Sequence, residues 1–192
     1  MGAGVTMVGR TVLTDNEAML LALVARAEPI TAYQIAKAYD LSPVSNFNTS
    51  KGKIYPIIKR LKARGLLLGK GIADDGRGTE RLTCTDAGRD EVRNWVMRIA
   101  PGDLLLEDPL RAKVQSFDLL SSDDRVEWVL RAKEELLAKM KELEDYRERV
   151  TAPFHELVHE NAVASIRVRL TWLDLVFFEV TNARQMDRVP PA

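Results

Sequence analysis

Cysteine is almost missing: Cys84 stands alone in 192 residues. No disulfide can form within the chain, so the fold must rest on a packed core. A single thiol in an apolar run reads as a small buried hydrophobe, and the shortage fits a reducing compartment. Histidine is scarce as well, with only His155 and His159. No apolar run approaches the ~18 residues of a membrane span. The first residues lack the charged start and long apolar stretch of a secretory leader, so a cytoplasmic location is expected. No Gly-rich phosphate loop and no Ser-His-Asp set is present, which points away from an enzyme and from any cofactor. Net charge is zero, from 28 basic and 28 acidic side chains. Acid is also missing locally: no Asp or Glu occurs between Lys51 and Lys70.

That local absence lies in the stretch that organises the chain, Asn48 to Gly88. A cap-like Thr49-Ser50 pair opens a basic amphipathic helix that runs to about Arg64, where Gly65 stops it. Ile54, Ile57, Ile58 and Leu61 recur at steps of three and four, so one face is buried. Lys51, Lys53, Lys59, Arg60, Lys62 and Arg64 lie largely off that stripe. A solvated helix face ordinarily mixes Glu with Lys, whereas charge of one sign suits a polyanion. Two strand-like runs follow, Leu66 to Ile72 and Thr79 to Cys84. They flank a turn-rich Ala73 to Gly78 that puts Arg77 at its tip. A helix followed by a two-stranded ribbon is what a winged helix-turn-helix requires.

Upstream, residues 1–13 read as a loosely held arm. Thr14-Asp15-Asn16-Glu17 is a capping box that starts a helix to about Ala27, burying Met19, Leu20, Leu23 and Val24. Thr31-Ala32-Tyr33-Gln34 is a second box, with Ile30 and Ile35 placed as a hydrophobic staple, and its helix ends near Tyr39. Pro56 falls inside the third helix, where a missing N–H predicts a bend. Downstream, Thr85 opens a helix to about Ile99 with Val92, Trp95, Val96 and Ile99 at helical spacing. Pro101-Gly102 breaks it and marks the expected boundary between residues 1–100 and 101–192. The first of these halves carries net charge +5 and the second −5. Such a split argues for modules with different partners.

These residues carry a resemblance. Ala32-Tyr33, the run Ser50-Lys51-Gly52-Lys53-Ile54-Tyr55-Pro56-Ile57-Ile58-Lys59-Arg60-Leu61 and Thr85-Asp86-Ala87-Gly88-Arg89 resemble the PadR family of winged-helix transcriptional regulators. Cys84, where Leu is usual, and a long loop around Asn46-Phe47-Asn48 depart from the pattern. The segment from Asp108 to Leu120 is similar to the start of the C-terminal domain of the longer, virulence-activator type. The resemblance implies a homodimer on a pseudo-palindromic operator, more often a repressor than an activator. It also implies release by a small hydrophobic or phenolic ligand in some relatives. The expected fold is mainly α: three helices and a wing, then a helical dimerisation domain. DNA contacts are expected from Tyr33, Thr49, Ser50, Lys51, Gly52, Lys53, Tyr55, Lys59, Arg60 and Arg77. The alternative is a winged helix that binds protein without specific DNA binding.

In the second half, Asp108 and Pro109 open one helix. Ser121 opens a longer one to Val150, with Val129, Leu136, Leu143 and Val150 seven residues apart. Lys133 and Arg147 interrupt its second seam. A last helix, begun by Thr151 and Pro153, carries Ile166, Leu170, Leu173, Phe177 and Val180 at steps of four and three. These five are the expected dimerisation residues. Val168, Trp172, Leu175 and Val176 form a second face. Trp95, Trp128, Trp172, Phe177 and Phe178 could line a pocket but read as core. His155-Glu156-Leu157-Val158-His159 matches the H-E-x-x-H zinc pattern. A catalytic zinc needs a third protein ligand. The formal candidate, Glu179, would lie roughly 30 Å along a continuous helix. The motif therefore reads as chance, with no metal site.

Overall fold

The structure is a computed structural model that describes residues 12–43, 51–72 and 78–187, with the side chains of 51, 52 and 183–187 left out. The chain divides into two compact units, residues 1–104 and 105–192.

In the first unit, α1 (Asp15–Ala27), β1 (Ile30–Thr31), α2 (Ala32–Asp40), α3 (Lys51–Ala63), β2 (Leu67–Gly71), β3 (Glu80–Cys84) and α4 (Asp86–Met97) follow one another. Both capping boxes form, Thr14 with Glu17 and Thr31 with Gln34. The core holds Leu20, Leu21 and Val24 of α1, Ile35 of α2, Ile54, Ile57, Ile58 and Leu61 of α3, and Leu67 and Leu82 of the sheet. Leu21 is fully buried, while Met19 and Leu23 are only partly so. The sheet has three strands in the order β1-β3-β2, all antiparallel. The expected hairpin is β2–β3, and β1 adds a third strand to it. At two residues, β1 is too short to show any periodicity, and its pairing with β3 alone makes it a strand.

Thr85 begins α4 by accepting from the Gly88 N–H. Val92 and Trp95 pack on the core, and Trp95 Nε1 donates to Asp15 Oδ1 at 2.9 Å. Val96 and Ile99 are exposed, and the helix stops at Met97, short of the expected Ile99.

The second unit contains α5 (Pro109–Val114), α6 (Ser122–Arg147) and α7 (His155–Asp187). Asp108 caps α5 as expected, and its other carboxylate oxygen accepts from Arg169 of α7 at 2.9 Å. The last helix starts later than Thr151 because Phe154 adopts φ +61°, which no α-helix accommodates. Val129 and Leu143 of α6 meet Val163, Ile166 and Leu173 of α7 in two buried clusters. The two cations that interrupt the α6 seam are matched across the hairpin, Lys133 to Asp174 and Arg147 to Glu156. Phe117 meets the edge of Trp128, and Trp172 and Phe177 pack on the same cluster, whereas Phe178 is exposed.

Candidate nucleic-acid interface

The sequence dictates α3 at both its buried face and its end. Gly65 takes φ +69°, a conformation that costs an L side chain but not glycine. The Leu66 N–H then reaches the Leu61 carbonyl and the Gly65 N–H reaches the Lys62 carbonyl, each at 2.9 Å. These two bonds are a Schellman stop. At 3.6 residues per turn, Lys53, Arg60 and Arg64 fall on one flank of the helix, and Tyr55, Lys59 and Lys62 on the other.

Partners from elsewhere in the unit divide these cations. Glu17 of α1 accepts from Arg60 Nε at 2.7 Å and lies 4.0 Å from an Arg64 terminal nitrogen. Glu80 of β3 takes Lys62 with both oxygens, at 2.8 and 2.6 Å. The last turns of α3 are therefore neutralised on both flanks. Lys53 and Lys59 are exposed and have no ion-pair partner among the described residues. Tyr55 is 61% exposed beside them, and Tyr33 is exposed in the first turn of α2.

Arg60, expected to contact DNA, has its Nε held by Glu17 while its side chain stays 55% exposed. Lys51 and Gly52 lie in the first turn of α3, but the Lys51 side chain is outside the described part. Thr49, Ser50 and Arg77 lie outside the described residues altogether.

Two cations escaped the sequence reading. Lys70 and Arg81 sit directly opposite each other in the β2–β3 register. The core takes Leu67, Leu82 and Cys84 from these strands, so alternation puts Lys70 and Arg81 together on the outer face of the wing stem, where both are exposed. Like charges in that arrangement are destabilising. The signal that could have found them is the hairpin register itself, which fixes which cations face one another.

The Thr85-to-Arg89 signature serves as scaffold. Thr85 Oγ1 accepts from the Gly88 N–H and donates to the Gly65 carbonyl at 2.8 Å, tying α4 to the end of α3. A Cβ on Gly88 would lie 2.4 Å from the Leu66 carbonyl oxygen, so only glycine allows this approach. Arg89 pairs with Glu28, which also accepts from the Cys84 N–H. Those hydrogen bonds outweigh burial and hold the Glu28 carboxyl below its ordinary range. For Glu17 burial pulls the pKa up, but the bonds from Arg60 and Thr14, with the Arg60 charge, bring it below the usual value. Burial pushes the Cys84 thiol up, which suits a packing role.

The H-E-x-x-H histidines are drawn to different neighbours. His155 Nδ1 lies 2.8 Å from the Ala152 carbonyl oxygen, and His159 is buried with Nε2 3.6 Å from Glu144. Glu156 is taken by Arg147 at 2.8 Å. Among the described residues no group of three or more His, Cys, Asp or Glu side chains could hold a metal ion.

Residues 20–94 match the sequence profile of the Transcriptional regulator PadR-like family. The segment is a PadR-like domain. It belongs to a family of transcriptional regulators and not of enzymes. The fold of nearly the whole chain agrees. PadR of Bacillus subtilis, solved with operator DNA, is similar with a TM-score of 0.73 at 20% identity, over 87% of this chain and 99% of that one. The same protein solved with p-coumaric acid gives 0.70 at 20% identity, over 86% and 98%. A PadR-like transcriptional regulator from Bacillus cereus gives 0.67 at 17% identity, over 93% and 99%. A search of the curated proteins found no match. The PadR-like domain spans α1 to α4 from Leu20, so it contains the cations described above. No described helix is long and apolar enough to cross a membrane.

Proposed function

We propose that the chain is a cytoplasmic, DNA-binding transcriptional regulator, more often repressing than activating, that works as a homodimer on a pseudo-palindromic operator. The observation that carries this reading is that Lys53 and Lys59 of α3 are exposed without an ion-pair partner among the described residues, in a fold shared with a PadR solved on operator DNA. Lys53 and Lys59 reach phosphates or base edges, and Tyr55 and Tyr33 support them. Lys70 and Arg81 meet the backbone from the wing stem. Thr49, Ser50, Lys51, Gly52 and Arg77 complete the surface expected from the sequence. By analogy with the PadR solved with p-coumaric acid, a small hydrophobic or phenolic ligand releases the DNA.

One recognition helix covers about half a site, so operator binding requires two copies held in register, roughly 34 Å apart. Of the residues expected at the dimer seam, Ile166 and Leu173 are buried against the chain's own α6, and Leu170, Phe177 and Val180 are half-buried in the same clusters, which favours a seam elsewhere on α7. The opposite side of α7 is open. Leu157, Asn161, Ala164, Val168, Thr171, Leu175 and Phe178 recur there at alternating steps of four and three, and all seven are exposed. That spacing is a coiled-coil seam. We place the contact with the second copy on it, related by a two-fold axis.

Binding to duplexes of graded salt tests the DNA reading. Lys53→Ala with Lys59→Ala should lower the slope of log affinity against log salt by about 1.8, at roughly 0.9 for each phosphate no longer neutralised. An unchanged slope and affinity would place the DNA face elsewhere.

A further inference from the structure

Two acidic residues from outside α3 neutralise the helix that reads DNA. Glu17 is 6% exposed, and its carboxylate is fixed by the Thr14 N–H before any ligand arrives. It holds Arg60 and Arg64, while Glu80 holds Lys62 on the other flank. Capping does not require the charge at position 17. The second box of this chain uses Gln34 for the same reciprocal bond, and glutamine serves there in general. A buried carboxylate is costly unless paired, so its partner matters. The partner here is a cation of the candidate recognition helix, 43 residues away in sequence.

We infer that Glu17 is a specificity-determining residue: with Glu80, it withholds Arg60, Arg64 and Lys62 from DNA phosphates and so suppresses sequence-independent binding. This rests on the reading that α3 faces duplex DNA. Non-specific affinity grows with each phosphate neutralised, whereas selectivity is the ratio of specific to non-specific binding. A helix that displayed every cation would grip any duplex. Holding back its last turns leaves Lys53 and Lys59 as the free cations among the described α3 side chains.

The test uses the full chain and a random-sequence duplex of about 30 base pairs, long enough for roughly three turns at 10–10.5 base pairs each. Affinity is measured across a salt series for the wild type, Glu17→Gln, Arg60→Gln and the double variant. Glu17→Gln keeps the capping bond but loses the charge. It should bind the random duplex more tightly, with a slope steeper by about 0.9 for each cation released. Adding Arg60→Gln should remove about one such step, and Arg60→Gln alone should leave the wild-type slope. A residue that only supports the fold would instead weaken binding in step with unfolding, with no change of slope. That result, or a shallower slope for Arg60→Gln alone, overturns the proposal. Should Glu17→Gln fail to fold, Glu80→Gln carries the same test on the other flank: a slope steeper by about 0.9, cancelled by Lys62→Gln, supports it, and an unchanged slope overturns it. A wild type that binds no duplex at any salt would fell the DNA reading itself.

Discussion

Glu28 joins three parts of the first unit: it follows α1, accepts from the Cys84 N–H at the end of β3, and pairs with Arg89 of α4. Its pKa and that of Glu17 are held below the ordinary 4.5 in the folded chain. The unfolded chain therefore binds protons more readily, and stability rises with pH through this window. The contribution is complete above about 4.5 and is lost as pH falls through the lower, folded values. Thermal melts on acidification should show the winged-helix unit losing stability below that point. Glu28→Gln should be less stable than the wild type at neutral pH and should lose less on acidification. An equal acid slope in the two proteins would assign the loss to other carboxylates. At this scale the sequence was informative about caps and silent about partners. The box at Thr14 and Glu17 follows from spacing alone. The ion pair of Glu17 with Arg60 spans most of the first unit's helices and has no local signature.

Among the elements, α3 and the wing stem show how far a local pattern reaches. The isoleucine spacing predicts which face of α3 is buried, and Ile54, Ile57, Ile58 and Leu61 are all buried. The missing acid between Lys51 and Lys70 suggests a bare cationic helix, yet Glu17 and Glu80 arrive from α1 and β3. On the wing, the repulsion between Lys70 and Arg81 is a cost in the free protein that an anion would offset. Lys70→Ala should therefore stabilise the fold slightly, by up to about 1 kcal/mol of relieved repulsion, seen as a small rise in melting temperature. The same change should weaken DNA binding and lower the salt slope by about 0.9. Opposite signs in the two measurements are the mark of a binding residue. Loss of stability together with unchanged DNA binding would make Lys70 a structural residue instead.

For the whole molecule the informative comparison lies two residues apart on α7. Leu173 is 0% exposed against α6, whereas Leu175 is 64% exposed, 200° further around the helix. Leu173→Asp would place an unpaired carboxylate in the cluster of Phe117 and Val129, at a cost of several kcal/mol. It should unfold the second unit, seen as lost helical signal. Leu175→Asp should leave the helical signal intact, sediment as a monomer, and bind an operator no better than random DNA. A Leu175→Asp protein that remains dimeric would move the interface off the open seam.

The sequence alone determined the starts of α1, α2, α4, α5 and α6, the buried stripe of α3, the stop at Gly65 and the wing strands. Each of these rests on residues within a few positions of one another, where backbone geometry and solvent exclusion act directly. Only the tertiary structure decided which cations of α3 stay free, that Ile30 and Thr31 form a strand, and which apolar seam of α7 is already filled. Periodicity shows that α7 is apolar on more than one side but not which side its neighbour in the chain covers. Packing decides that, because α6 can cover one side of a helix and not its opposite.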